Sequence, residues 1–497
     1  MKLSVLFGRA GLEYPPELGD LDITKIVTDS REAAPGCLFL CIKGRHSDGH
    51  GFVNDAIKAG AAIIVAEQVR DACVGGAAAY IMLENTRRVA ALLYNAWYGN
   101  PVKKMKIIGV TGTNGKTSVC FLLTELFRAA GFRCGLVGTV CCQSADGRAL
   151  SPLRSDSLAN MTTPDPEELY RLLAKMAEDR VEYVFMEVTS HALALHKTDA
   201  IFFDTAIFTN LTQDHLDFHE TMEEYFSAKR RLFSQCRRAV INADDAAGRR
   251  LLAEVRCPTV TCSVTEGEYC ALSRKSLGLS GSVYRLKTPT ESFEITLGIP
   301  GGFSVMNSLE AAAVALSYGI SPETVQRVLR TTAGVTGRME RLRIDGAPFS
   351  VLIDYAHTPD ALEKLLRSVW EIRRSGERIV LLFGCGGDRD RSKRREMARI
   401  ASRYADFTIV TADNSRSEDP EQIFSDILKG LDKEKPYTVI RDRRAAIFFA
   451  VRSARPGDIL ILAGKGHETY EIDAEGRHPF DERRIVKEAF ADGNAEK

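Results

Sequence analysis

The sequence predicts an α/β protein of three domains, and three observations predict it. At 497 residues the chain is too long for a single core. Short apolar runs alternate with helix-spaced stretches along most of its length, the pattern of doubly wound sheets. Near the first fifth, the run Lys106-Ile107-Ile108-Gly109-Val110 enters Thr111-Gly112-Thr113-Asn114-Gly115-Lys116-Thr117-Ser118. Val119, Leu122, Leu123, Leu126 and Ala130 follow at helical spacing, with Gly131 as the expected cap. Strand, glycine loop and helix start form a cradle whose backbone N–H groups face an anion. The expected architecture is therefore a central P-loop-type ATPase sheet, a C-terminal Rossmann-like sheet and a smaller N-terminal α/β domain.

The N-terminal domain is expected over residues 1–99. It shows strands at 37–42 and 61–65, a helix at 51–59 between them, and a helix from Thr86 to Tyr98. Thr28-Asp29-Ser30-Arg31 is a turn of short polar side chains ahead of a basic one, a composition suited to a diphosphate or sugar. Gly99-Asn100-Pro101 marks the boundary.

The central domain is expected over 100–337. After the loop come a strand at 137–140, a polar stretch at 143–160, and Thr162-Thr163-Pro164-Asp165 opening a helix through Ala177. Strands at 181–188 and 205–211 end in Glu187-Val188-Thr189-Ser190-His191 and in Thr209 to His219. A helix is expected over 222–236, a small antiparallel patch over 259–299, and a helix over 307–318. The C-terminal domain, 338–497, has strands at 351–353, 379–383, 407–411 and 459–462. Their ends carry Asp354 to His357, Gly384 to Arg389, Asp413 to Arg416, and Gly464 to Glu468. No G-x-G-x-x-G appears, so a dinucleotide is not expected.

Lys+Arg and Asp+Glu are both 66, so no general attraction to nucleic acid or membrane is expected. No apolar run is long enough to span a bilayer, and the charged first twenty residues do not form a signal peptide. Twelve cysteines without a C-x-x-C pair or zinc spacing read as reduced core thiols of a cytosolic protein.

Lys116 can reach terminal phosphates, and the Thr117 hydroxyl can hold Mg²⁺. Val110 stands where the full phosphate-loop pattern has glycine, so the match is to a shortened G-x-x-G-K-T form. Ligands of open α/β sheets sit beyond the carboxyl ends of strands, which brings Glu187 and His215 to the rim of the loop. The set suits ATP and one or two Mg²⁺ ions. An N-K-x-D guanine signature is absent. His215 and His219 have the i, i+4 spacing of a metal pair, but without H-E-x-x-H zinc is not expected, and His219 reads as structural.

Gly112 to Thr117, Glu187 to His191, Asn210 to His219, Ala228 to Phe233, Asp354 to Pro359 and Gly464 to Glu468 resemble the Mur ligases, over essentially the whole chain. The resemblance is closest to the MurE branch, which adds the third peptide residue to UDP-N-acetylmuramoyl-L-alanyl-D-glutamate. Residues 28–39 are similar to the uridine-binding domain, and Asp413-Asn414-x-Arg416 to the motif of the meso-diaminopimelate-adding members.

The resemblance implies a cytoplasmic, monomeric ligase of peptidoglycan precursor synthesis, and so of cell-wall biogenesis, cell shape and division. The substrate D-glutamate carboxylate would attack the γ-phosphate of ATP, and the amine of diaminopimelate would then attack the acyl phosphate. Lys116, Glu187, His215 and Lys229 would be catalytic. Thr117 and Glu187 would hold one Mg²⁺, and His215 with a carbamylated Lys229 a second. Gly112, Thr113, Asn114, Gly115, Ser118, Asn307, Arg338, Asp354 and His357 would join Lys116 and Thr117 in binding ATP. Ser30, Thr162, Thr163, Ser190 and Lys197 would meet the UDP-muramoyl dipeptide. Arg389, Asp413, Asn414, Arg416, Gly464 and Glu468 would form the diaminopimelate pocket. Three positions depart from the family: Ser415 stands in place of proline, Met161 in place of asparagine and Lys197 in place of arginine. Alternatives are a lysine-adding MurE-type ligase, a folylpolyglutamate synthetase, which would lack the uridine-type domain, and a nucleotide switch without chemistry.

Overall fold

The computed structural model describes residues 1–44, 47–68, 78–150 and 161–495. The chain packs as two compact units, Met1–Glu268 with Glu310–Ile320, and Tyr269–Leu309 with Ser321–Lys497.

The first unit holds two parallel-rich sheets. The N-terminal sheet is β1 (Ile26–Val27), β2 (Leu38–Leu40), β3 (Ile63–Ala66) and β4 (Ala79–Met82), paired in that order and all parallel. The helix Leu3–Ala10 buries Leu3, Leu6 and Phe7, an i, i+3, i+4 stripe that the sequence reading passed over. β1 and β4 were also missed: the first is two residues long, and the second buries only Ile81 fully.

The second sheet is built from β5 (Lys106–Thr111), β6 (Cys134–Val137), β7 (Cys142–Gln143), β8 (Tyr183–Glu187), β9 (Thr205–Phe208), β10 (Ala239–Asn242) and β11 (Thr259–Ser263). The order is β11-β10-β9-β5-β8-β6-β7. Only the β6–β7 pair is antiparallel. β5, β8 and β9 are buried almost throughout, as strands covered on both faces must be. Their carboxyl ends form one rim.

Several boundaries differ from expectation. β11, expected within the antiparallel patch, pairs parallel with β10. The helix Ala246–Glu254 is the crossover that parallel pairing requires. The helix expected over 222–236 ends at Arg230 and tightens into the 3₁₀ turn Arg231–Ser234, where the Ser234 hydroxyl bonds the Arg231 carbonyl. Pro166, not Pro164, opens the helix Pro166–Glu178, as a first-turn proline can. The expected helix at 307–318 begins earlier, in Gly302–Ser317, because the Ser304 hydroxyl bonds the Pro300 carbonyl and stabilises an extra turn. The part of the polar stretch at 151–160 lies outside the described residues.

The second unit opens with the antiparallel meander β12 (Tyr269–Ser276), β13 (Ser282–Lys287) and β14 (Ser292–Leu297). Its main sheet comprises β15 (Glu340–Leu342), β16 (Ser350–Asp354), β17 (Ile379–Phe383), β18 (Phe407–Val410), β19 (Tyr437–Val439) and β20 (Ile459–Ala463). The order is β15-β16-β20-β17-β18-β19, parallel except for β15. A hairpin of β21 (Tyr470–Asp473) and β22 (Gly476–Pro479) follows β20. The four expected strands are the four central ones. The missed β15 and β19 are three-residue edges. Helices cover both faces, and two apolar clusters, one on each side, form the core.

The described cysteines form no disulfide. Among the described residues, no helix is long and apolar enough to cross a membrane.

Candidate active site

The loop between β5 and the helix Lys116–Ala129 turns on two glycines at positive φ, Gly112 at 148° and Gly115 at 90°. A β-carbon on Gly112 would collide with the Thr209 hydroxyl, so the loop lies hard against the end of β9. It is tied there by several bonds. The Thr113 amide donates to the Asn210 carbonyl at 2.9 Å, and the Asn114 amide to Asn210 Oδ1 at 3.0 Å. The Thr113 hydroxyl donates to the Thr212 carbonyl at 3.1 Å and accepts the Thr212 amide at 3.0 Å. The Thr209 hydroxyl donates to the Asn114 carbonyl at 2.6 Å.

Lys116 folds back over the loop, its Nζ donating to the Gly112 and Thr113 carbonyls at 2.9 Å each. Thr117 donates to Glu187 Oε2 at 2.9 Å. Glu187, 1% exposed at the end of β8, also accepts the Thr139 amide at 2.8 Å and the Thr139 hydroxyl at 3.1 Å. A Cβ on Gly138 would overlap Glu187 Oε1, so glycine there leaves the carboxylate its place. Thr117 and Glu187 thus set two hard oxygen donors side by side beside the phosphate cradle, a set that fits Mg²⁺.

Lys229 lies 1% exposed on the helix Met222–Arg230. Its Nζ donates to the Gly112 carbonyl at 2.8 Å and stands 4.4 Å from the Tyr225 ring centroid. Burial first, then the charge of Lys116, push this amine well below the ordinary lysine range. Tyr225 connects the group to the loop through a 3.2 Å bond to the Thr113 hydroxyl. The same ring lies 6.1 Å from that of His215. His215 has φ 54° and a partly exposed side chain, with Nε2 3.6 Å from Asp214. As an ammonium Lys229 cannot ligate a cation, and a neutral amine is a poor ligand for the hard Mg²⁺ ion. Among the described residues, no three His, Cys, Asp or Glu side chains converge as a metal site.

His219 is buried, with Nε2 2.8 Å from the hydroxyl of Ser190. Thr163 donates to the Glu187 carbonyl at 2.8 Å, and Thr162 lies 3.0 Å from the Thr139 hydroxyl. Lys197 is 8% exposed, 2.8 Å from Asp165 and 3.7 Å from the Met161 sulfur. Its neighbour His196, at φ 57°, meets Asp199 at 2.7 Å, Arg231 at 2.8 Å and Asn85 at 3.1 Å. Ser30 opens a 3₁₀ turn whose cap, Asp29, accepts the Arg31 amide and guanidinium.

In the second unit, the ends of β18 and β20 meet. Asn414 Nδ2 donates to Glu468 Oε2 at 2.9 Å. Arg416, at φ 54°, donates through Nη1 to the Gly387 carbonyl at 2.8 Å. Burial raises the affinity of Asp413 for a proton, but the Lys465 and Arg443 charges outweigh it and hold its pKa below the usual value. Burial raises that of Glu468. A Cβ on Gly464, at φ 117°, would stand 2.6 Å from Asp413 Oδ2. Arg389 is exposed in the adjoining loop. Asp354 accepts the Met339 and Ala356 amides at 2.7 and 2.8 Å. The Arg338 guanidinium lies 4.7 Å from the Tyr355 ring centroid. His357 Nδ1 bonds the Tyr355 carbonyl, and Asn307 is buried within its helix.

Sequence reasoning missed Thr139, Tyr225, Thr212, Lys465 and Arg443. Thr212 and Lys465 lie inside the Asn210–His219 and Gly464–Glu468 stretches, a signal that was available, whereas Thr139, Tyr225 and Arg443 lie in no recognisable motif.

Family models match in three parts: Mur ligase family, catalytic domain at residues 22–98, Mur ligase middle domain at 110–315, and Mur ligase, glutamate ligase domain at 337–466. The UDP-N-acetylmuramoyl-L-alanyl-D-glutamate--2,6-diaminopimelate ligase of Caldanaerobacter subterraneus subsp. tengcongensis is 42% identical, the alignment covering 95% of this chain and 96% of that one. The ligase of the same name from Clostridioides difficile is 39% identical over 95% and 96%. A solved structure of a ligase with that name aligns with TM-score 0.71 and 30% identity, over 99% of this chain and 100% of the other. MurF from Thermotoga maritima in complex with ADP shares the fold, with TM-score 0.59 and 16% identity over 95% and 98%.

Proposed function

The chain belongs to the Mur ligase family, and from that premise we propose that it is an ATP-dependent acid–amino-acid ligase. It adds meso-diaminopimelate to UDP-N-acetylmuramoyl-L-alanyl-D-glutamate, through an acyl phosphate, in cytoplasmic synthesis of peptidoglycan precursors. We assign residues 1–99 to the UDP-substrate, 100–337 to ATP and 338–497 to the amino acid, in a monomer.

The observation that carries the acceptor is the arrangement around Asn414. Glu468 lies on its amide at 2.9 Å, and Arg416 is backed on the neighbouring Asn414 and Gly387 carbonyls at 3.3 and 2.8 Å. A carboxylate and a guanidinium braced on one segment suit a centre that bears both an ammonium and a carboxylate, such as the distal end of diaminopimelate.

The chain's own groups divide the work. Gly112, Thr113, Asn114, Gly115 and Ser118 cradle phosphates. Lys116 exchanges two loop carbonyls for the terminal phosphate, where its charge opposes the charge that develops in transfer. Asn307, Arg338, Asp354 and His357, in the second unit, are assigned to ATP as well. Mg²⁺ neutralises phosphate oxygens when bound. Thr117 and Glu187 would hold one ion, and His215 with carbamylated Lys229 the other. The lowered proton affinity of Lys229 supports this, because only a neutral amine can add carbon dioxide. Ser30, Thr162, Thr163, Ser190 and Lys197 position the muramoyl peptide. Arg389, Asp413, Asn414, Arg416, Gly464 and Glu468 hold the incoming amino acid.

The test is ADP release with the UDP-muramoyl dipeptide and either meso-diaminopimelate, L-lysine or no amino acid. Release that requires both the dipeptide and diaminopimelate is expected. Lys116→Ala should abolish it without shifting the melting curve. Release indifferent to amino acid would replace the ligase by a nucleotide switch.

A further inference from the structure

Lys465 has no exposed surface. Its ammonium donates to Asn414 Oδ1 at 2.9 Å and to the Tyr470 carbonyl at 3.1 Å, and lies 3.9 Å from Asp413 Oδ1. With its ammonium engaged inside the domain, it does not touch substrate. Its effect falls on Asn414. The Asn414 atom facing Lys465 also faces the Ile472 amide at 2.9 Å. Both neighbours are donors only, so that atom must be the amide oxygen. The amide nitrogen is then forced to the other side, where it donates to Glu468 Oε2 at 2.9 Å. Arg443 braces the same segment from below: it is buried, bonds the Ala412 and Ala463 carbonyls at 2.9 Å each, and is paired with Glu482. Those carbonyls immediately precede Asp413 and Gly464.

We propose that Lys465 is the positioning residue that fixes the polarity of Asn414, and thereby the orientation of Glu468, so that the pocket tells one configuration of the distal diaminopimelate centre from its mirror image. The inference rests on the acceptor assigned above. Inverting that centre exchanges the places of its ammonium and carboxylate. A rigid pair of one acceptor, Glu468, and one cation, Arg416, accepts only one arrangement. An Asn414 free to turn over presents its oxygen to Glu468, drives that carboxylate away and loosens the distinction.

The experiment compares kcat/KM for meso-, L,L- and D,D-diaminopimelate in the full-length enzyme and in Lys465→Met, with melting curves for each. Lys465→Gln, which keeps one donor toward Asn414, is the milder variant should the methionine not fold. We expect Lys465→Met to raise KM for meso-diaminopimelate at least tenfold and to shrink the isomer ratio by a similar factor. KM for ATP and for the dipeptide should stay within twofold. Lys465→Gln should fall between it and wild type. A folded variant that loses rate equally on all isomers, or keeps the wild-type ratio, overturns the inference. Absence of diaminopimelate turnover in the wild type would instead overturn the acceptor assignment on which it rests.

Discussion

Lys229 and Lys116 donate to the same acceptor, the carbonyl oxygen of Gly112, at 2.8 and 2.9 Å. Burial first, and then the charge of Lys116 on the same carbonyl, disfavour a proton on Lys229. An incoming phosphate would relieve this by drawing Lys116 away. Conversion of Lys229 into a carbamate would relieve it from the other side, replacing a like charge by an opposite one.

Lys229→Ala is expected to reduce turnover at least a hundredfold, with the fold retained. Added short carboxylates such as formate or acetate should restore part of it, because they return the ligand oxygens the variant lacks. Turnover at the wild-type rate without any additive would return Lys229 to a purely structural role.

Gly138→Ala tests the seat of Glu187. The added methyl would overlap Oε1 of a carboxylate that Thr117 and Thr139 hold in place. A loss of about tenfold or more in kcat is expected, accompanied by a shift of the Mg²⁺ titration to higher concentration. An unchanged magnesium titration would show that Glu187 does not serve the ion.

On the proposed acceptor assignment, Arg416 would read the carboxylate by which diaminopimelate differs from lysine. A charge-assisted hydrogen bond of this kind contributes roughly 1.5–3 kcal/mol, about ten- to more than a hundredfold in selectivity. The wild type should prefer meso-diaminopimelate over L-lysine by that factor, and Arg416→Ala should remove most of the preference. Ser415 replaces the family's proline, yet Arg416 remains held through Nη1 to Gly387 and Asn414. Equal kcat/KM for the two amino acids in the wild type would place the chain with the lysine-adding enzymes.

Glu418 carries a stability prediction. Its carboxylate accepts Arg394 at 2.7 and 2.8 Å and the Asp388 amide at 3.0 Å. The Arg394 bonds, followed by smaller contributions from the Asp388 amide, move its pKa from 4.5 down to about 2. A depressed carboxylate stabilises the fold above its unfolded value, and that stability is lost as pH falls from 4.5 toward 2. Glu418→Gln should therefore lower the melting temperature at neutral pH and flatten the acid limb across that window. Parallel acid limbs for wild type and variant would contradict the assignment.

The sequence made the phosphate loop, Glu187, the Asp413–Arg416 segment and the central strands legible, because each joins a glycine turn or polar cluster to an apolar run of distinct length. Other features were invisible for physical reasons. Two- and three-residue edge strands, such as Ile26–Val27 and Glu340–Leu342, are too short to carry a period. The parallel pairing of β11 with β10 depends on the crossover helix Ala246–Glu254, which the sequence reading did not assign. Thr139 and Tyr225 act through single hydroxyls whose neighbours are set only by folding. Lys197 could be named as a cation in the first unit, but its pairing with Asp165 could not.

The ties between the phosphate loop and the segment after β9 carry a consequence for exchange of backbone protons with solvent. The amides of Thr113, Asn114 and Thr212 all end on atoms of the opposite segment, and that of Leu211 ends on Asp245. None can be released alone without breaking the register of the others. In deuterated water these four amides should exchange as one cooperative set, with a common opening free energy. The nucleotide cradle and the His215 segment then loosen together, so a ligand that slows exchange in the first slows it in the second.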